Sequence, residues 1–262
     1  MAAIHGVWIG EAPDVDAMQR IAAEVGYSET AFLSPAEGFR RAVRYYSPEA
    51  EVSFCGHASI AAGVLLGELA GDGIYRLETA VGEVPVEVRT KGGFIEASLT
   101  SVMPEHLPAS EGLVEEALSI LDWRRDELDP AISPARACGG AWHLVLAAAD
   151  EQRLADLDYN FRALKTLMLR EKLTTLQLVR RETPTLFHAR NPFPVGGVVE
   201  DPATGAAAAA AAFGGYLRDA GLVTAPAAFV IRQGEAMGRP SRLMVEAPES
   251  GGIVVTGSAV RI

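Results

Sequence analysis

Seven consecutive alanines, Ala206 to Ala212, followed by Phe213-Gly214-Gly215-Tyr216-Leu217, leave this chain few ways to fold. Alanine is the best helix former, and a helix with no polar face has to be buried. Small side chains on every side let its neighbours approach closely. The stretch opens with Glu200-Asp201-Pro202-Ala203-Thr204-Gly205. Asp can cap free backbone N–H groups and Pro tolerates the first turn, so a helix is expected over about 203–219. A second stretch of the same build begins at Cys55-Gly56-His57-Ala58-Ser59 and continues apolar to Leu69, predicting a buried helix over about 57–70. The two starts lie a little over half the chain apart. Two matched helices predict two related halves whose helix starts face one shared cleft.

A buried helix start presents unpaired N–H groups and the positive end of the helix dipole, which suits a carboxylate or phosphate. Gly56 and Gly205 would let a ligand approach the backbone. The 262 residues carry a net charge of −11, which argues against nucleic acid and against anionic membrane surfaces as partners. The charge-free run from Pro202 to Leu217 falls short of the roughly 18 residues of a membrane span. Met1 to His5 has neither the basic start nor the apolar run of a signal peptide, and two cysteines make no disulfide framework. A reduced, cytoplasmic setting is expected.

In chain order, Asp14 or Asp16 opens a helix running to Gly26, and residues 28–33 and 40–46 read as strands. After the first buried helix, residues 74–80, 83–90 and 94–100 read as a three-stranded meander. A proline-punctuated connection follows, with one helix near 112–121. The second half reads as strand 141–149, helices 151–157 and 161–170, strands 174–181 and 185–190, the alanine helix, and strands 229–233, 242–247 and 253–262. Alternation is too irregular for repeated strand–helix–strand crossovers. The expected class is α+β, each half a curled, mostly antiparallel sheet or barrel around its own helix. The division is placed at 1–106 and 107–262.

The five histidines show no paired ligand spacing and neither cysteine lies in a Cys-x-x-Cys, so no metal is expected. No phosphate loop, dinucleotide fingerprint or serine elbow is present. Acid–base chemistry on a bound small acid remains. His57 and Asp201 would line the site, Gly56, Ala58, Thr204, Gly205 and Ala206 would hold the acid through the helix starts, and a neighbouring carboxylate would move the proton. Enclosure favours the protonated form of a carboxyl, bringing it toward the operating pH. Periodicity does not single out Glu29, whose commoner fate on a strand is to face outward.

The combination Ser28-Glu29-Thr30-Ala31-Phe32, Phe54-Cys55-Gly56-His57-Ala58, Glu200-Asp201-Pro202-Ala203-Thr204-Gly205 and Gln233-Gly234-Glu235-Ala236-Met237-Gly238-Arg239-Pro240-Ser241 resembles the PhzF-like isomerases of phenazine biosynthesis, in order and spacing over nearly the whole chain. The resemblance implies the diaminopimelate-epimerase-like fold, cofactor-free isomerisation and a homodimer. It implies that Glu29 carries the proton while His57 and Asp201 orient the substrate, which in the best-understood member type is a dihydro-hydroxyanthranilate. The chain departs from the family in having Ala206 after the Asp-Pro-x-Thr-Gly motif, where a serine is usual. It also has Gly26-Tyr27 in place of an asparagine and a shortened first strand. The expected function is therefore a cofactor-independent isomerase acting on a small carboxylic acid. A non-catalytic acid-binding homologue is the alternative from another class. Racemisation by paired thiols would need a cysteine at both helix starts, and Asp201 occupies one of them.

Overall fold

The structure, a computed structural model, describes residues 6–11, 13–201 and 204–259, with side chains of the alanine helix described from Ala208 onward. The element order repeats. The first half runs β1 (Gly6–Ile9), α1 (Val15–Val25), β2 (Thr30–Leu33), β3 (Arg40–Tyr46), the short β4 (Glu51–Val52), α2 (Gly56–Ala70), β5 (Gly73–Thr79), β6 (Gly82–Lys91) and β7 (Phe94–Thr100). A connecting region supplies β8 (Glu105–Pro108), α3 (Glu111–Leu121) and β9 (Ala135–Cys138). The second half runs β10 (Trp142–Ala147), α4 (Glu151–Ala155), α5 (Phe161–Glu171), β11 (Thr175–Thr183), β12 (Leu186–Arg190), α6 (Thr204–Asp219), β13 (Ala227–Gln233), β14 (Ser241–Ala247) and β15 (Val254–Gly257).

The strands form one open path, β1-β2-β3-β5-β6-β7-β15-β14-β13-β12-β11-β10-β9-β8, with β4 added beside β3. No closed barrel forms among the described residues. The two meanders, β5-β6-β7 and β13-β14-β15, meet where β7 pairs antiparallel with β15. Crossovers, which the irregular alternation argued against, do occur. Parallel pairs β1/β2, β3/β5, β10/β11 and β12/β13 are each bridged by helix, through α1, α2, α4 with α5, and α6. Hairpins interleaved with the crossovers mask them in the sequence. The proline-rich connection also hides β8 and β9, which pair with each other and place β9 beside β10.

Helix α1 starts where the Asp14 carboxylate accepts a hydrogen bond from the Ala17 N–H and ends at Gly26, whose φ of 68° is the left-handed conformation glycine adopts without strain. Helices α2 and α6 pack on each other and each lies against strands of its own half. Both are buried almost throughout: α2 from Gly56 to Val64, α6 from Ala208 to Leu217. Packing is close enough to require glycine. A Cβ on Gly63 would sit 2.6 Å from Val86 Cγ1, and one on Gly67 2.6 Å from Val88 Cγ1. In the second half, Phe187, Phe213 and Phe229 meet edge to face behind α6, with centroids 5.2–6.3 Å apart. A further core lies on the opposite face of β10 and β11, where Leu144, Leu146, Leu176 and Leu178 pack against α3 and α5.

Gly63→Val is expected to lower unfolding free energy by about 1–3 kcal/mol, the usual effect of overpacking. Gly112→Ala is the control: in α3, with nothing within 4 Å of the added Cβ, it should leave stability unchanged or raise it. Denaturant midpoints of the two variants check the contrast.

Candidate active site

The sequence at the first helix start folds so as to bury its functional groups. Glu29 follows the turn after α1 and immediately precedes β2, rather than lying within a strand as the pattern implied. It is 1% exposed, not outward facing. Cys55 is the N-cap of α2, with extended backbone at φ −136°, and its Sγ accepts from the Ala58 N–H at 3.4 Å. The His57 ring stands against the same sulfur, Nδ1 at 3.4 Å, and is wholly buried. A carboxylate oxygen of Glu29, Cys55 Sγ and a ring nitrogen of His57 all lie within 4.8 Å of one another.

Asp201 joins this group from the other half. It is 1% exposed, and its backbone N–H donates to the Asn191 carbonyl at 2.9 Å. Its charge is felt at Cys55: burial pushes the thiol up well above its ordinary range, and the carboxylates of Glu29 and Asp201 push the same way. Backbone N–H groups of His57 and Ala58 oppose this only in part. The thiol is therefore a neutral cap on α2. Sulfur at 3.4 Å is a weak acceptor, so these N–H groups remain exchangeable toward a better anion.

Behind these groups the structure is stiff. Tyr45 OH and Ser59 Oγ are 2.6 Å apart, and Ser59 Oγ donates to the Cys55 carbonyl at 2.8 Å. On the other side, Arg190 pairs with the buried Glu200 carboxylate through Nε at 3.0 Å, fixing the residue before Asp201, and its Nη1 donates to the Ala155 carbonyl at 2.6 Å. The Tyr159 hydroxyl donates to the Val199 carbonyl in the same segment. A buried pair of this kind holds geometry because removing either partner leaves an uncompensated charge.

The structure thus brings Glu29, His57 and Asp201 together with Gly56 and Ala58. Thr204, Gly205 and Ala206 open α6, with helical backbone, and their side chains lie outside the described residues, as do Pro202 and Ala203. Cys55, weighed in the sequence only as one member of a thiol pair, is here part of the group with Glu29 and His57. Cys138 is only partly buried. Glu29, Cys55 and His57 offer oxygen, sulfur and nitrogen ligands of the kind zinc takes. Linear spacing gave no sign of this, because Glu29 arrives from a different element. Among the described residues no helix is long and apolar enough to cross a membrane.

An open α+β sheet wound round two packed helices is an epimerase-like fold. The same fold occurs in a predicted epimerase from Pseudomonas aeruginosa, 25% identical with a TM-score of 0.84 over 96% of this chain and 88% of that one. It occurs also in a hydroxyproline epimerase from Agrobacterium vitis, 15% identical with a TM-score of 0.68 over 95% of this chain and 80% of that one. Within that class, residues 6–262 match the model of the PhzC-PhzF family, phenazine biosynthesis-like proteins, and the chain belongs to that family. Relatives include the uncharacterized isomerase YfhB of Bacillus subtilis, 28% identical over 94% of this chain and 86% of its own length. Another uncharacterized isomerase, from Mesorhizobium japonicum, is 30% identical over 95% of this chain and 87% of its own length. By class the protein is an isomerase.

The state of the thiol gives a direct check on this geometry. Iodoacetamide at pH 8 is expected to label Cys138 and spare Cys55 in the folded protein, both reacting once it is unfolded. Peptide mass spectrometry reads the ratio, and faster labelling of Cys55 would contradict the buried, neutral cap.

Proposed function

We propose that the protein is a cofactor-independent isomerase that moves a proton between two positions of a small carboxylic acid, with Glu29 as the proton carrier. The observation that carries this reading is the convergence of a buried carboxyl, an imidazole and a second carboxyl at the starts of two packed helices. The helix starts supply donors for the acid's carboxylate at Gly56–Ala58 and Thr204–Ala206. Binding there displaces the thiol of Cys55 from the N–H groups it caps. Glu29 as carboxylate takes a proton from carbon beside the resulting delocalised system. As carboxylic acid it returns the proton to another carbon within reach, and the double bonds shift between the two events. His57 and Asp201 orient the amine or hydroxyl of the substrate and compensate the charge that develops. Enclosure keeps water from quenching the carbanion-like intermediate.

Family resemblance names a dihydro-hydroxyanthranilate as one substrate of this chemical type. Racemisation by two thiols has only Cys55 at the site, with Asp201 at the other helix start, while Cys138 lies on β9.

A thermal-shift screen of cyclic and aliphatic carboxylic acids, followed by proton NMR in deuterated water, tests the reading. An acid that stabilises the protein is expected to exchange a carbon-bound proton for deuterium. Glu29→Gln is expected to slow that exchange at least about 100-fold while retaining binding. Undiminished exchange in the variant would reject Glu29 as the carrier, and binding without exchange by the wild type would make the protein a non-catalytic acid binder.

A further inference from the structure

The repeated topology assigns Glu29 a counterpart. In the first half Thr30 is paired with Tyr46, and in the second Leu178 is paired with Arg190. Glu29 immediately precedes Thr30, and Gln177 immediately precedes Leu178. The correspondence extends along the partner strands, since Ser47-Pro48 follows Tyr46 and Asn191-Pro192 follows Arg190, each leading into the loop before a central helix. The second half thus carries a carboxamide at the position where the first carries the acid.

Gln177 is wholly buried, on the face of β11 that, with Val179, packs toward α6. Its Oε1 accepts from Asn191 Nδ2 at 2.5 Å, and Asn191 Nδ2 also donates to the Leu176 carbonyl at 3.0 Å, which fixes the amide's orientation. Gln177 Nε2 and Asn191 Oδ1, both buried, have no hydrogen-bond partner among the described residues. Neither does Nε2 of His143, on the same face of β10, whose Nδ1 lies 2.7 Å from Thr175 Oγ1. Burying a donor and an acceptor side by side without partners costs stability, and such groups persist where something else satisfies them. The Asn191 carbonyl receives the Asp201 N–H, so the pair stands one residue contact from the site.

We infer that Gln177 and Asn191 form a second binding subsite, which recognises an uncharged hydrogen-bonding substituent of the substrate (a hydroxyl, keto or carboxamide group) at the end of the ligand away from its carboxylate. An uncharged group fits because the described side chains that make up the subsite are uncharged: two amides, the Thr175 hydroxyl, and His143, which burial pushes down to about 3 and so leaves neutral at physiological pH. Nε2 of Gln177 donates and Oδ1 of Asn191 accepts, so a hydroxyl or carboxamide meets both. This inference rests on the small-acid reading above, and it makes Gln177 a specificity residue where Glu29 is a catalytic one.

Gln177→Met keeps the shape of the side chain and removes its polar atoms. Isothermal calorimetry with benzoate, 3-hydroxybenzoate and 3-carbamoylbenzoate as probes measures the preference. Wild-type protein is expected to bind the two substituted acids at least about 10-fold more tightly than benzoate, and the variant to bind all three within about 2-fold. Preference retained by the variant overturns the assignment. A second readout needs no ligand: the double change Gln177→Met with Asn191→Leu, which removes both amides so that neither is left orphaned by the other, should raise Tm by about 2–4 °C, because a buried pair held ready for substrate is a burden to the free protein. A fall in Tm would show instead that the pair is structural, and also overturns the assignment. If none of the three acids binds the wild type, the carboxylate reading of the site fails, and the direction of the Tm change alone decides whether Gln177 is held for a ligand.

Discussion

The contact between α2 and α6 sets the terms for the rest of the molecule. Two helices can lie against each other and against sheets on their remaining sides only if their own side chains are small. Hence Gly63 and Gly67 in α2, where a Cβ would collide with Val86 and Val88. Hence also the alanines of α6, and Gly139, where a Cβ would sit 2.7 Å from the backbone nitrogen of Ala212. Burial of a whole helix buries its first turn as well, where N–H groups lack helical partners. Those donors need acceptors that reach them in the absence of solvent. The residues at the two starts therefore answer a structural need before they answer a chemical one, and a ligand with a carboxylate answers the same need better than a thiol does.

Repetition of the scaffold makes the divergence of its side chains readable. Where the halves correspond, the main chain keeps its course while the chemistry changes: acid Glu29 against amide Gln177, Ser47-Pro48 against Asn191-Pro192. At the helix starts, Cys55 faces Asp201 across the site. A symmetric pair of proton carriers would suit removal of a proton on one side of a carbon and return on the other. One acid opposite an amide suits transfer within one side, which is the reaction proposed above.

Much of the fold was legible because packing leaves a mark on composition. An all-apolar run of small residues admits one interpretation, so α2 and α6 were readable to within a few residues, and the strands read at 40–46 and 94–100 have the bounds of β3 and β7. The strands β8 and β9 were not, since four residues among prolines carry no periodic signal and are held by pairing, β8 on β9 and β9 on β10. Of the candidate site, His57 and Asp201 were marked by their places at helix starts. Glu29 was marked only by the company of other motifs, since its burial depends on contacts from distant elements. Cys55 was weighed only as one of a pair of thiols, and its capping role carried no signal because cysteine is not among the usual N-caps. Gln177, a polar residue among the leucines that open β11, gave no signal that register did not have to supply.

The degree of burial carries a consequence of its own. Glu29, Cys55, His57 and Asp201 are each 0–1% exposed, so the group is closed off from bulk water. The loops leading into the two helices touch: a Cβ on Gly197 would meet Glu49, and Lys165 of α5 pairs with that same carboxylate. Phe54, just before α2, is covered by Gly140 at φ 115°, a conformation and a closeness that a side chain would forbid. These contacts join the halves through side chains and turns, whereas β7 and β15 join them through backbone hydrogen bonds. In the reaction proposed above, this closed arrangement excludes water while a proton is in transit.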